Sequence, residues 1–216
     1  MEDIEILIRL KDYLIQGKNV FNQYKSIFLS KDTMLSKYII SSTAPAFFEI
    51  IYNLFWENII LSISKLTDPA HSGKNDNMSL ASILNLANKK SLRCSVNISI
   101  KYKELQLVVE TIRTYRTKII AHNDFVNSFN SELNVKINTV SKAYELCEEI
   151  LNLYYLETTN STWNYNITSL FDAKTLMFYL ENALIYEDFK KNRNIPSQDN
   201  IEYCKWKESI KNVSNN

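Results

Sequence analysis

The sequence predicts an all-α fold, and two observations support this prediction. The chain of 216 residues contains only two glycines and three prolines, too few for the many turns of a β-rich fold. In the long segments between them, apolar residues recur at helical spacing instead of alternating as in strands. A chain of this length can also bury a core without disulfides or structural metals. We therefore expect a helical bundle with one hydrophobic core.

Two long helices are predicted in the first third of the chain. Residues 3–29 carry an apolar stripe at helical spacing, and Gly17 is a possible bend that would divide this segment into two helices. From about residue 44 to 66 the chain is apolar on most of its circumference. Pro45 lies in the first turn, where its missing N–H does no harm. This second segment is expected to be the central and most buried helix.

A single polar stripe crosses the apolar segment. Glu49, Asn53 and Glu57 are spaced four residues apart and therefore stack on one face of the helix. If the helix is central, the two carboxylates need partners, because buried charges are stable only when they are paired. They are therefore candidate partners for a cation elsewhere in the chain.

Four further helices are predicted after a polar loop. Residues 67–77 have strong turn chemistry, and Asn77 or Ser79 can cap the short helix that follows. Ser169 and Asp172 are a plausible capping pair for the last helix. The four segments cover approximately residues 79–90, 100–122, 137–157 and 169–189.

The chain is predicted to contain one helical domain and a tail. Residues 1–190 hold the long helices, and residues 191–216 form a polar C-terminal tail. The 25 Lys and Arg residues nearly balance the 24 Asp and Glu residues, giving a net charge of +1. This balance excludes the strongly basic surface of a histone-like protein, so any contact with a nucleic acid must be local.

The cysteines and the N-terminus indicate a cytoplasmic protein. Cys94, Cys147 and Cys204 form no C-x-x-C pair, which argues against a zinc knuckle and a disulfide framework. The N-terminus MEDIEIL is acidic, unlike a secretory signal, and charges interrupt every strongly apolar run. We expect reduced thiols and no membrane partner.

The predicted helix of residues 100–122 contains the most informative residue. Arg116 falls in the middle of its apolar face, which is formed by Leu105, Val109, Ile112, Ile119 and Ile120. An arginine on a core-facing stripe must meet a carboxylate, an anion or a second subunit. An ion pair with Glu49 or Glu57 is one candidate, and it is compatible with a further role in binding.

His122 lies on a different side of the same predicted helix. On an ideal helix it is rotated by about 120° from Arg116 and displaced by about 9 Å along the axis. Either the helix distorts at its end, or a symmetric dimer supplies the second half of a shared site, and we favour the dimer. A histidine at a helix C-terminus can also simply interact with the helix dipole.

Three sequence segments carry a family resemblance. Arg116 and His122 match the pattern R-x(4-6)-H, and SKLTDP (64–69), NMSLASIL (77–84) and RTKIIAHND (116–124) follow in this order. Over about residues 40–190 the chain resembles the AbiU-type abortive-infection branch of the HEPN superfamily of helical ribonucleases. One departure is Thr117, where many HEPN proteins carry Asn, Asp or His.

The resemblance implies a fold, an activity and a set of partners. It implies a HEPN-like helical bundle with extra C-terminal helices, forming a homodimer that cleaves RNA without a metal ion or other cofactor. The expected biological role is antiphage defence or that of a toxin, and an antitoxin protein is a possible further partner. Arg116 would stabilise the charged phosphorane, and His122 would act as general base or acid. The candidate substrate-binding residues are Arg113, Lys118, Asn123 and Asp124, the last of which could instead orient the imidazole.

Two other hypotheses stay open at this point. The first is a catalytically inactive HEPN-like dimer that binds RNA or a partner protein, in which Arg116 is structural and Thr117 marks loss of the site. The second is a helical scaffold without a role in nucleic-acid binding, which predicts no basic patch around residues 113–123.

Overall fold

The protein is an all-α bundle in a computed structural model that describes residues 3–30, 33–121, 134–165 and 172–193. A two-stranded hairpin, β1 (His71–Ser72) and β2 (Asn75–Asp76), follows the third helix, and a π-helical turn, Arg116–Ala121, follows the fifth. The helical bundle confirms the predicted all-α fold class. The seven α-helices in these ranges are α1 (Asp3–Phe28), α2 (Thr33–Thr43), α3 (Pro45–Thr67), α4 (Leu80–Lys89), α5 (Ser95–Tyr115), α6 (Ile137–Thr159) and α7 (Ala173–Arg193).

Helix α1 continues without a bend through Gly17, so the segment is one helix and not two. Gly17 lies on the buried side of α1, in the same stripe as Leu14 and Phe21. A Cβ atom at Gly17 would lie 2.9 Å from the Tyr144 hydroxyl and would collide with the side chain of Ser62. The glycine therefore allows α1 to pack closely against α3 and α6, and the segment forms one helix.

Helix α2 was not predicted from the sequence. Its segment is short and rich in Ser and Thr, and only Ser36 and Ile39 are buried. Ile39 belongs to a small apolar cluster with Ile27, Phe48 and Met177, which lies apart from the main core. Tertiary packing against α3 and α7 thus stabilises a helix whose own apolar stripe is too narrow to recognise.

The prediction that α3 is the most buried helix is wrong for its first half. Ile59, Ile60 and Ile63 are fully buried, whereas Ile50 and Leu54 are more than half exposed. The carboxylates of the polar stripe are exposed as well, so water can solvate them without an ion-pair partner. Among the described residues, α3 is the one helix long and apolar enough to span a bilayer.

Helix α5 begins earlier than predicted because a residue of α6 caps it. The two carboxylate oxygens of Glu157 each accept a backbone N–H at 2.6 Å, one from Arg93 and one from Cys94. A negative charge at a helix N-terminus is favourable for both its hydrogen bonds and the helix dipole. This stabilisation allows α5 to start at Ser95, within the segment that the sequence indicated as a polar link.

The bounds of α6 agree closely with the prediction, whereas α7 begins and ends about four residues later than predicted. The apolar stripe of α6 packs on α5, and its members Tyr144, Cys147 and Leu151 are buried as predicted. Asp172 caps α7, because its Oδ1 accepts the backbone N–H groups of Lys174 and Thr175 at 3.0 and 3.2 Å. Ser169, the other half of the proposed capping pair, lies outside the described residues, as does most of the predicted tail. The domain boundary therefore stays a prediction.

Candidate functional site

The candidate site begins where the buried face of α5 ends. Leu105, Val109 and Ile112 are fully buried, as the sequence predicts for the core-facing stripe. One turn later the backbone N–H of Arg116 reaches the carbonyls of both Ile112 and Arg113, and the α-helix stops. Arg116 therefore lies at the margin of the core, with its side chain 40% exposed, and not in the middle of a buried face.

A π-helical turn, Arg116–Ala121, replaces the last turn of the predicted helix. None of its residues is buried, and Ile119 and Ile120 are only partly covered. π-turns are rare because their geometry is less favourable than that of the α-helix, and they occur often at functional sites. The helix end is thus distorted, but His122 lies outside the described residues, so the structure does not test whether this distortion joins it to Arg116. It does not test the dimer.

Arg116 forms an ion pair with a carboxylate that the sequence analysis did not consider. Its Nη1 lies 3.7 Å from Oδ1 of Asp68, whose side chain is 28% exposed. Of the three partners considered for Arg116, a carboxylate, an anion or a second subunit, the structure thus contains the carboxylate. The proposed partners Glu49 and Glu57 are wrong, because in the described part of the chain neither forms an ion pair with Arg116.

Asp68 is held in place by the end of α3. It is the C-cap residue of that helix, with φ −57° and ψ 152°, and Pro69 follows it. A proline disfavours helical geometry in the residue before it, which explains why α3 ends here. The preceding Thr67 is fully buried, and its hydroxyl donates to the carbonyl of Ile63 at 2.9 Å. The sequence signal for this residue was Asp-Pro at the end of an apolar helix.

The guanidinium of Arg113 forms hydrogen bonds to other groups of the protein. Its Nη1 donates to Oε1 of Gln106 at 2.5 Å, and its Nη2 donates to the backbone carbonyl of Thr67. That carbonyl belongs to the last turn of α3, where backbone acceptors lack partners within the helix. Arg113 therefore joins the ends of α3 and α5, and its predicted contact with RNA stays a prediction.

Tyr102 lies close enough to Arg113 and Asp68 for their charges to act on its phenol. Burial raises the pKa of its phenol, the cation of Arg113 opposes that rise, and the carboxylate of Asp68 adds to it. The phenol is therefore neutral near physiological pH. Tyr102 was not singled out from the sequence, because a tyrosine at helical spacing is most often a core residue.

Some of the remaining predicted site residues lie within the described part of the chain, and the others lie outside it. Lys118 is exposed on the π-turn, as is Thr117. His122, Asn123 and Asp124 lie outside the described residues, so their proposed roles stay predictions. Among the residues described, no group of three or more His, Cys, Asp or Glu side chains could hold a metal ion.

The fold and the sequence together define the family. An all-α bundle in which an arginine-bearing helix leads into the R-x(4-6)-H motif has the architecture expected of a HEPN domain. The chain matches the family model HEPN_AbiU2, described as AbiU2, over residues 4–176. It therefore belongs to the AbiU2 family of HEPN proteins. No curated protein and no solved structure matches it.

Proposed function

We propose that this protein is a cytoplasmic, metal-independent endoribonuclease that acts as a homodimer in antiphage defence or as a toxin. The observation that carries the proposal is the half-exposed guanidinium of Arg116 at the start of the π-turn that leads to His122. Membership of the AbiU2 family supports it. An antitoxin protein would be a further partner.

The proposed reaction needs only the groups that this motif supplies. The 2′-oxygen of a ribose attacks the adjacent phosphorus, the bond from phosphorus to the 5′-oxygen breaks, and a 2′,3′-cyclic phosphate is formed. One group accepts the proton of the 2′-hydroxyl, and another gives a proton to the departing 5′-oxygen. Histidine suits both transfers because it titrates near neutral pH, and a dimer would provide two copies of His122. Arg116 would stabilise the charge on the phosphorane oxygens.

The first test is cleavage of total RNA by the purified protein in EDTA. We expect cuts that leave 2′,3′-cyclic phosphate ends, and we expect Arg116→Ala to lower the rate by about 100- to 1,000-fold, as for loss of another group that stabilises a developing oxyanion. His71→Ala is the matched control, because His71 is exposed on the hairpin and pairs with Asp76. Absence of cleavage, or equal cleavage by wild type and Arg116→Ala, would favour the inactive RNA-binding or protein-binding dimer.

An apolar strip on α3 supports the proposed homodimer. Phe47, Ile50 and Leu54 recur at helical spacing and are 54–59% exposed. Side chains at this spacing form the seam by which two helices pack together. The same helix packs against the π-turn that begins at Arg116. We therefore place the two-fold axis of the proposed homodimer at this strip.

The substitution Leu54→Asp tests the dimer surface. We expect this variant to be monomeric in light scattering at concentrations at which the wild type is dimeric, because pairing would bury an uncompensated charge. It should lose RNA cleavage in parallel. The matched control is Leu107→Asp, at a leucine of α5 that is 76% exposed. A dimeric Leu54→Asp protein, or a monomeric Leu107→Asp protein, would contradict this assignment of the interface.

A further inference from the structure

The two arginines near the end of α3 differ in how they are used. Arg113 is partly buried and donates to two oxygen atoms of the protein, one of them the carbonyl of Thr67. Arg116, whose side chain is 40% exposed, meets the carboxylate of Asp68. Arg113 thus fixes the C-terminal end of α3 relative to α5. Arg116 is held by Asp68, the residue that follows this end of α3.

The geometry of the Arg116–Asp68 pair leaves the guanidinium available. A separation of 3.7 Å is within an ion pair but longer than a charge-assisted hydrogen bond, which is about 2.7–2.9 Å. A guanidinium has five N–H donors in a rigid fork that fits phosphate oxygens. The carboxylate therefore restricts the orientation of the fork without occupying the donors that a phosphate would need.

The support of Asp68 is rigid. Its neighbour Thr67 is fully buried, with its side chain bonded to the helix and its carbonyl bonded to Arg113, and Pro69 restricts the backbone on the other side. A partly exposed side chain on such a support can hold a longer and more mobile arginine in a single arrangement. Partly exposed ion pairs add little stability to a protein. A contribution to stability therefore explains the Arg116–Asp68 pair poorly.

We propose that Asp68 is the positioning residue of the ribonuclease site, which orients the Arg116 guanidinium toward the scissile phosphate without touching the RNA. This inference rests on the proposed function. The charge of Asp68 also opposes the approach of the anionic RNA backbone. Its removal should therefore weaken catalysis while leaving RNA affinity equal or higher, a combination that general loss of structure would not produce.

The test compares Asp68→Asn, Asp68→Glu and Asp76→Asn with the wild type. For Asp68→Asn we expect kcat to fall by about 10- to 100-fold, the cost of a misplaced catalytic group, with KM unchanged or lower. Asp68→Glu should recover most of kcat because it restores the charge. The control Asp76→Asn removes an exposed carboxylate of the nearby hairpin and should have wild-type kcat.

A second measurement reports on the arginine directly. The Nε–Hε signal of Arg116 in an NMR spectrum can be assigned by its disappearance in Arg116→Lys, since the chain has only five arginines. We expect this signal to shift or broaden in Asp68→Asn. In Asp76→Asn its position and width should equal those of the wild type. These spectra need no enzymatic activity.

The outcomes separate the two proposals. A lower kcat with unchanged or lower KM and a changed Arg116 signal supports the positioning role. An unchanged kcat, or a higher KM with a lower melting temperature and an unchanged signal, overturns it. If the wild type does not cleave RNA, the proposed function fails, and the signal alone decides whether Asp68 orients Arg116: a change supports that orientation, and no change overturns it.

Discussion

Replacing His122 with alanine is expected to lower the rate of RNA cleavage by about 100- to 10,000-fold, the usual contribution of a general acid or base. The melting temperature should change little, because the π-turn immediately before His122 has no buried residue and contributes little to the core. The measurement is the initial rate on an RNA of defined sequence in EDTA, together with a thermal melt of the same preparation.

Two comparisons make the His122 result specific. His71→Ala removes the other histidine of the chain, which lies on the exposed hairpin, and should cleave at the wild-type rate. Arg116→Ala should be impaired as well, since the two residues are expected to act on one phosphate. Cleavage that survives in His122→Ala, or that requires a divalent metal, would indicate a contaminating nuclease or a different mechanism and would refute the assignment of His122.

The helices that could be predicted are those whose apolar stripe is also their buried side. In α5 and α6 the residues at helical spacing, such as Val109 and Leu151, are fully buried, and the structure agrees with the sequence. In α3 apolar composition did not reveal which half is covered, because that depends on how far the neighbouring helices extend. Leu54 and Ile63 have similar chemistry, yet one is exposed and the other is buried.

Contacts between distant parts of the chain account for the features that were missed. The start of α5 depends on Glu157, which lies more than sixty residues further along the chain. That Arg116 would meet a carboxylate, an anion or a second subunit followed from the position of a charge on an apolar face. The identity of that carboxylate did not, because Asp68 approaches Arg116 only through the packing of α3 on α5. The π-turn likewise has no distinctive composition that could reveal it.

The contrast between the two arginines leads to the second large expected effect. Arg113→Ala should destabilise the protein by about 2–3 kcal/mol, because it removes two charge-assisted hydrogen bonds and leaves the carbonyl of Thr67 without its partner. For a chain of this size, that corresponds to a fall in melting temperature of about 4–12 °C. The measurement is reversible unfolding in urea, with a thermal melt as a second probe.

Arg116→Ala is the comparison for Arg113→Ala, because it should lower the rate of RNA cleavage and leave stability almost unchanged. Its ion pair is partly exposed on both sides, and such pairs contribute about 0–1 kcal/mol, so its stability should remain close to that of the wild type. Arg113→Lys keeps the charge but cannot reach two acceptors with the geometry of a fork, so it should resemble Arg113→Ala in stability. Equal stabilities for Arg113→Ala and Arg116→Ala would show that the bonds to Gln106 and Thr67 do not hold α3 and α5 together. The division between a structural arginine and an available one would then be wrong.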